Sequence, residues 1–309
     1  MYQAACRICG GQLTGSLRVR EMMFGTREQF GYHQCADCGC LQIDVIPADI
    51  GRHYPDRYYS YGAKAPAPST RRRRGWRRRL ILGTPFGPVM RLFSRGDGQF
   101  HDYRALGVRP GSRVLDVGAG SGKHVAELRD AGVVALGVDA YVPEDIHVGG
   151  QLLVTKATLA EMSGVFDLIA FHHSLEHMAD QAGVLAEARR LLSPKGRIFV
   201  RVPTVSSEAF EAYGKDWVNL DAPRHFYLHS HRSLQLVAER AGLRLERLSC
   251  DSVGQQFAGS EQYRMDVPLT DPRSATLFSR QQRRAFEERA RELNRALRGD
   301  ALCAVMSAA

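Results

Sequence analysis

No apolar run in this 309-residue chain approaches the roughly 20 residues that a bilayer-spanning helix needs. The first residues carry no signal-peptide pattern either, so the expectation is a cytoplasmic protein without a membrane span. The sequence shows no internal repeat. Its net charge of +9 suggests nucleic acid only until the charge is located. Seven arginines sit in one nine-residue stretch, Arg71 to Arg74 and Arg77 to Arg79, and without them the chain carries +2. The basicity is local and says little about the rest of the molecule. It reads either as a solvated basic helix face packing on the enzyme or on a partner, or as an attractor of a phosphorylated substrate or an acidic surface.

With 44% apolar and 24% charged residues, the composition is that of a soluble globular protein, long enough for two domains or one domain and a module. Residues 1–46 are rich in Gly and Cys. Residues 47–70 carry four prolines and the tyrosines Tyr54, Tyr58, Tyr59 and Tyr61, the composition of a connecting segment. A helix is expected over 78–93, broken near Pro85 and Pro88. From residue 112 the pattern turns regular, with strands at 113–117, 134–138, 151–154, 166–171 and 197–202 and helices at 123–131 and 182–192 between them. A helix at 232–241 and strands at 243–250 and 301–306 close the chain. Strands alternating with helices imply a largely parallel sheet covered on both faces.

The strongest chemistry lies in Val114-Leu-Asp-Val-Gly-Ala-Gly-Ser-Gly122. Glycines at 118, 120 and 122 stand where a strand turns into a helix, which lets a ligand approach the main chain closely. Asp116, just before the first glycine, can hold the amino group of a zwitterionic amino acid. Asp139 ends the next strand, placed to accept both hydroxyls of a ribose. A dinucleotide site needs helix-end amides for a pyrophosphate and has less use for a carboxylate there.

Four of the seven cysteines form Cys6-Arg-Ile-Cys9-Gly-Gly and Cys35-Ala-Asp-Cys38-Gly. Each puts two thiolates on one tight turn, and two such turns make a closed tetrahedral zinc site of structural type. In a reducing compartment this spacing favours metal over disulfides. A segment this small has too little core to fold alone, so metal binding would supply its folding free energy.

These motifs together resemble the class I S-adenosylmethionine-dependent methyltransferase family. The resemblance extends to Phe166-Asp-Leu-Ile-Ala-Phe followed by His172-His173-Ser-Leu-Glu-His177. It implies an α/β, Rossmann-like, seven-stranded catalytic domain behind a small zinc-ribbon-like module. The implied division is a zinc-binding module at 1–46, a linker and helical segment at 47–100 and the catalytic domain at 101–309, with an acceptor-side insertion at about 203–231. By the same resemblance Asp116, Gly118, Ala119 and Gly120 line the methionine part of S-adenosylmethionine, and Asp139 and Ala140 bind its ribose. The adenine would lie near Ala157, Thr158 and Leu159, with His172 and His173 also on the cofactor. Where many members have an acid beside the adenine amino group, this sequence has Thr158.

The combination of modules is similar to a bacterial family whose characterised members include C-methyltransferases acting on nucleotide-linked keto sugars. His53-Tyr-Pro-Asp-Arg-Tyr-Tyr-Ser-Tyr61, Trp217-Val-Asn-Leu-Asp-Ala-Pro-Arg-His-Phe-Tyr227, Gly259-Ser-Glu-Gln-Tyr263 and Gly299-Asp300 carry that likeness. A small-molecule acceptor is the expected partner, phosphorylated or nucleotide-linked sugars being one class. Methylation at carbon or oxygen requires a proton to leave, and a histidine suits that role. His225 is the first choice, His177 the second, and Tyr58 or Tyr59 is a hydrogen-bond donor to an enolate. Where the sugar enzymes place a Glu-His pair, this chain has Arg224-His225. Two other readings compete: a ribosomal-RNA base methyltransferase with a zinc ribbon, and a non-catalytic adaptor that keeps the fold. An Asn-Pro-Pro-Tyr-type loop for a flipped base is absent after the fourth strand, and nucleic acid is the less expected partner.

Overall fold

The molecule is described by a computed structural model covering residues 5–55, 68–87, 89 and 98–309, of which 68–73 and 98 are described by backbone alone. The chain begins with β1 (Leu13–Arg20), β2 (Gln29–Cys35) and β3 (Leu41–Ile43), followed by helices α1 (Pro68–Gly83) and α2 (Gly98–Ala105). Then come β4 (Arg113–Val117), α3 (Lys123–Asp130), β5 (Val134–Val138), β6 (Ile146–Val148) and β7 (Gln151–Thr155). These lead into β8 (Phe166–His172), α4 (Gln181–Arg190) and β9 (Leu192–Pro203). The remainder comprises α5 (Glu208–Tyr213), β10 (Tyr227–Leu228), α6 (His231–Arg240), β11 (Leu243–Cys250), α7 (Gln255–Arg264), α8 (Arg280–Arg295) and β12 (Ala301–Ala308).

The large sheet runs β11-β12-β9-β8-β4-β5-β7-β6. Its five central strands, β9 to β7, are parallel, while β12 and β6 pair antiparallel with their neighbours. Seven strands were expected and eight are present. The additional one, β6, closes a hairpin onto β7 through Gly149 and Gly150, both at positive φ. A two-residue turn of this kind matches the twist of the flanking strands. The strand order reverses direction at β4, with β5 on one side and β8 on the other. A crevice therefore opens at the carboxyl ends of β4 and β8, the place where open α/β sheets bind ligands. The inner strands are buried on both faces, as Val114, Leu115, Leu168, Ile169, Ala170 and Phe171 show.

Two cores sandwich the sheet. On one face α1, α2 and α3 contribute Ile81, Leu82, Phe100, Tyr103, Val125 and Leu128. On the other, α4 and α6 contribute Leu185, Ala188, Leu234 and Val237, and the same cluster continues into Ile8, Tyr32 and Leu41 of the N-terminal region. The small sheet explains that continuity: its order is β1-β2-β3-β10, so its fourth strand comes from residues 227–228, far along the chain.

The helix expected at 78–93 instead runs from Pro68 to Gly83, so it takes in the whole arginine run. Proline is favoured at a first helical position, where its missing N–H costs nothing; of the expected second half, residues 88 and 90–93 lie outside the described residues. Gly75 lets this helix approach α3, since a Cβ there would meet the Asp130 carbonyl at 2.8 Å. Arg78 turns inward, 3.4 Å from Glu127 and over the Phe100 ring, so one side of this basic helix packs on the protein. Among the described residues no helix is long and apolar enough to cross a membrane.

Candidate functional site

β4 delivers Asp116 to the crevice and ends in the glycine turn. Gly118, Gly120 and Gly122 all adopt positive φ (75°, 51° and 72°). At Gly118 a Cβ would lie 2.5 Å from that of Ser174, whose hydroxyl donates to the Val117 carbonyl at 2.7 Å. The segment after β8 thus packs directly on the turn. Asp139, at the end of β5, accepts the Gly120 and Tyr141 amides, each at 2.9 Å, which holds its carboxylate beside the turn. Burial, and then the charge of Asp139, push the Asp116 carboxyl up to about 7. A cationic ammonium beside Asp116 would relieve that cost, so these residues fit the amino-acid end of S-adenosylmethionine.

Thr158 and Leu159 open a short turn beyond β7. The Thr158 amide and hydroxyl both reach Glu161 at 2.7 Å, so an acid does stand beside Thr158, three residues along. His172 enters a cluster not foreseen from the sequence. The Tyr103 hydroxyl contacts His172 Nε2 and lies 2.8 Å from His124 Nε2, and Gln99 reaches His172 at 2.9 Å. Desolvation lowers His124 to about 4 and His172 well below its usual range, so both rings are neutral. His173 turns the other way, its Nδ1 3.2 Å from Glu176 Oε1.

Glu176 and His177 follow β8, and the insertion after β9 brings His225 to them. The two imidazole centroids are 4.9 Å apart, and His225 Nε2 is 4.0 Å from Glu176 Oε1 and 3.9 Å from Asp221. His225 Nδ1 lies 2.7 Å from the Asn219 carbonyl, and His177 Nδ1 lies 2.8 Å from the Arg224 carbonyl. A carbonyl can only accept, so both histidines carry a proton on Nδ1, and burial lowers His225 to about 4, so its Nε2 keeps a lone pair. Asp300, just before β12, takes hydrogen bonds from Trp217 and Asn219 at 2.9 and 2.8 Å and so fixes the carbonyl that orients His225. Of the tyrosines, Tyr54 reaches His177 at 3.1 Å. Tyr58 and Tyr59 lie outside the described residues.

The N-terminal module buttresses this pocket. Tyr32 donates to the His225 carbonyl at 2.8 Å. Arg224, fully buried, binds Asp221 at 3.0 Å and Glu21 at 2.8 Å. Burial works against the Glu21 charge, but the guanidinium more than offsets it and holds the carboxyl below its usual range. Arg224→Met would strand two buried carboxylates, at a cost of about 3–5 kcal/mol. A clear drop in the urea midpoint is expected, and an unchanged midpoint would show that the network is not buried as described.

The thiols of Cys6, Cys9, Cys35 and Cys38 lie within 4.8 Å of one another. The Cys6–Cys38 and Cys9–Cys35 separations are 3.7 and 3.4 Å, against about 3.8 Å for sulfurs around a tetrahedral zinc with 2.3 Å bonds. The amides of Ile8, Gly11 and Cys38 point at Cys6, Cys9 and Cys35 at 3.4, 3.4 and 3.5 Å. Gly10 and Gly39, which follow the knuckles, have positive φ. The hydrogen bond with Cys38 pulls the Cys6 thiol down to about 5, while Cys38 is pushed well up by Cys6. Four cysteine sulfurs this close suit a shared cation, and the donor set fits zinc. Cys40 is buried beside them, and Cys250 and Cys303 lie on β11 and β12 as expected.

Known proteins similar to this chain are methyltransferases. A family model described as a methyltransferase domain matches residues 95–248, so the four cysteines lie outside it. A ubiquinone biosynthesis O-methyltransferase of Xylella fastidiosa (strain 9a5c) is 32% identical over 179 residues, covering 52% of this chain and 70% of that protein. Its counterpart in strain M23 is 33% identical over 157 residues, covering 45% of this chain, and there the chain spans 63% of the relative's length. Among solved structures, a SAM dependent methyltransferase from Archaeoglobus fulgidus is 18% identical, with a TM-score of 0.45, covering 68% of this chain and 91% of that one. With the glycine turn, Asp116 and Asp139 at the switch point of a mainly parallel sheet, the chain belongs to the class I S-adenosylmethionine-dependent methyltransferase family.

Proposed function

We propose that this chain transfers a methyl group from S-adenosylmethionine to a small-molecule acceptor, and that loss of the acceptor's proton depends on His225. The observation that carries this reading is the meeting of two groups of residues at the carboxyl ends of β4 and β8. Asp116, the glycine turn and Asp139 form one side, and Glu176, His177 and His225 form the other. When bound, S-adenosylmethionine supplies a methyl group on a positively charged sulfur. Asp116, Gly118, Ala119 and Gly120 hold its methionine part, Asp139 and Ala140 its ribose, and Thr158 and Leu159 its adenine, with His172 and His173 lining the same crevice. The relatives' names speak for oxygen as the methylated atom. The sequence likeness to sugar enzymes speaks for a nucleotide-linked sugar or natural-product intermediate. The four-cysteine module, ending near residue 46, holds one zinc and supports the acceptor side.

The test is methyl transfer from isotope-labelled S-adenosylmethionine to nucleotide sugars and other hydroxyl-bearing small molecules, with total RNA in parallel. Label in the small-molecule fraction is expected, and label in RNA alone would overturn the reading. In the same preparation Asp139→Ala should weaken cofactor binding at least tenfold. It removes charge-assisted hydrogen bonds to the ribose worth about 1.5–3 kcal/mol each. Calorimetry showing unchanged affinity would place the ribose elsewhere.

A further inference from the structure

We propose that Glu176, His177 and His225 form a binding site for a divalent d-block cation, separate from the four-cysteine cluster. One ligand atom from each, a carboxylate oxygen and two imidazole nitrogens, lies within 4.8 Å of the other two. Both histidines spend Nδ1–H on a backbone carbonyl, at 2.8 Å for His177 and 2.7 Å for His225. That bond fixes ring orientation and tautomer and leaves Nε2 for a metal, the usual arrangement around metal-binding histidines.

The second observation is the carboxylate itself. Glu176 is completely buried, and its Oε2 has no hydrogen-bond partner. Its Oε1 is 3.2 Å from His173 Nδ1 and 4.0 Å from His225 Nε2. A buried, unsatisfied carboxylate oxygen is costly, and a cation would satisfy it. Two imidazoles and one carboxylate suit zinc, cobalt, manganese or ferrous iron, and leave coordination positions open. Ligand atoms about 2.1 Å from a common ion stand about 3.0–3.4 Å apart. The set must therefore close by up to about 1.4–1.8 Å on binding the ion. His177 is half-buried, so the site can be reached from outside.

The inference deepens the reading given under Proposed function and rests on it for what the ion does, though not for whether the ion binds. An acceptor hydroxyl reaching the cation would lose its proton to water more readily, the electron pair staying on oxygen. His225 would then act by holding the ion and not by carrying the proton on its own ring.

Binding can be tested without any acceptor. Full-length protein with zinc retained in the four-cysteine cluster is dialysed against Co²⁺, and bound cobalt and zinc are counted by elemental analysis. One equivalent of cobalt is expected beyond the retained zinc, with visible d–d absorption and no thiolate-to-metal charge-transfer band. Glu176→Gln and His177→Ala should each weaken uptake at least tenfold. If Glu176→Gln does not fold, His177→Ala, at a half-buried position, decides the matter. No additional cobalt, a thiolate charge-transfer band, or uptake indifferent to the substitutions would each overturn the proposal. Methyl transfer by chelator-treated protein separates the two readings. Transfer without cobalt uptake would sink the cation site alone, and cobalt uptake without transfer to any small molecule would sink the functional reading alone.

Discussion

His225→Asn should slow methyl transfer by about 10²–10⁴-fold while leaving cofactor affinity nearly unchanged. Asparagine is the informative replacement because of how the ring is held. Its amide N–H can still donate to the Asn219 carbonyl, which now receives Nδ1–H at 2.7 Å. What disappears is Nε2, the atom facing Glu176 and Asp221 at 4.0 and 3.9 Å. Whether that nitrogen takes the proton or holds a cation, proton loss from the acceptor depends on it. The proposed cofactor contacts lie instead at the ends of β4 and β5, around Asp116 and Asp139, so rate and cofactor affinity should separate. Measured turnover within fivefold of the parent would remove His225 from the role. A joint loss of rate and cofactor binding would mark it as a structural residue.

Purified protein should carry one zinc on Cys6, Cys9, Cys35 and Cys38, and Cys35→Ser should unfold the N-terminal module. Structural zinc in small domains contributes apparent binding free energies of about 10–16 kcal/mol, far more than this short segment can gain from its own core. The consequence should reach beyond the module. β3 pairs with β10, Tyr32 donates to the His225 carbonyl, and Glu21 pairs with Arg224, so losing the module removes three supports of the acceptor pocket. The glycine turn, built on β4 and β5, should survive. Cys35→Ser is thus expected to retain S-adenosylmethionine binding, lose methyl transfer, and become sensitive to proteolysis within residues 1–46. Less than about half an equivalent of zinc under non-chelating conditions would remove the metal. Full activity in Cys35→Ser would show that the module does not support the pocket.

What was legible in the sequence is what short-range geometry dictates. Val114 to Gly122 reads as a ligand-binding turn because glycine adopts, without steric cost, the positive φ that the crossing from β4 to α3 needs. The paired cysteines read as a metal site because two residues between thiolates place both on one turn. The parallel sheet followed from the alternation of strands and helices, although the Gly149–Gly150 hairpin that adds an eighth strand was passed over. The start of α1 lies ten residues before the expected Arg78, because the helix continues back through the arginine run to Pro68.

The tertiary structure decided the surroundings of His177 and His225. Tyr54 meets His177 across 123 positions and Arg224 meets Glu21 across 203, and no periodicity relates residues so far apart. Only the folded topology, in which the insertion after β9 lends a strand to the N-terminal sheet, brings them together. The same holds for Tyr103, His124 and His172, which arrive from α2, α3 and β8. The sequence by itself determined the glycine turn, the paired-cysteine knuckles and the kind of sheet, because each is set by backbone conformation or spacing within a few residues. Which histidines face one another, and which buried charges hold them, depends on long-range packing, and it was settled only when the chain folded back upon itself.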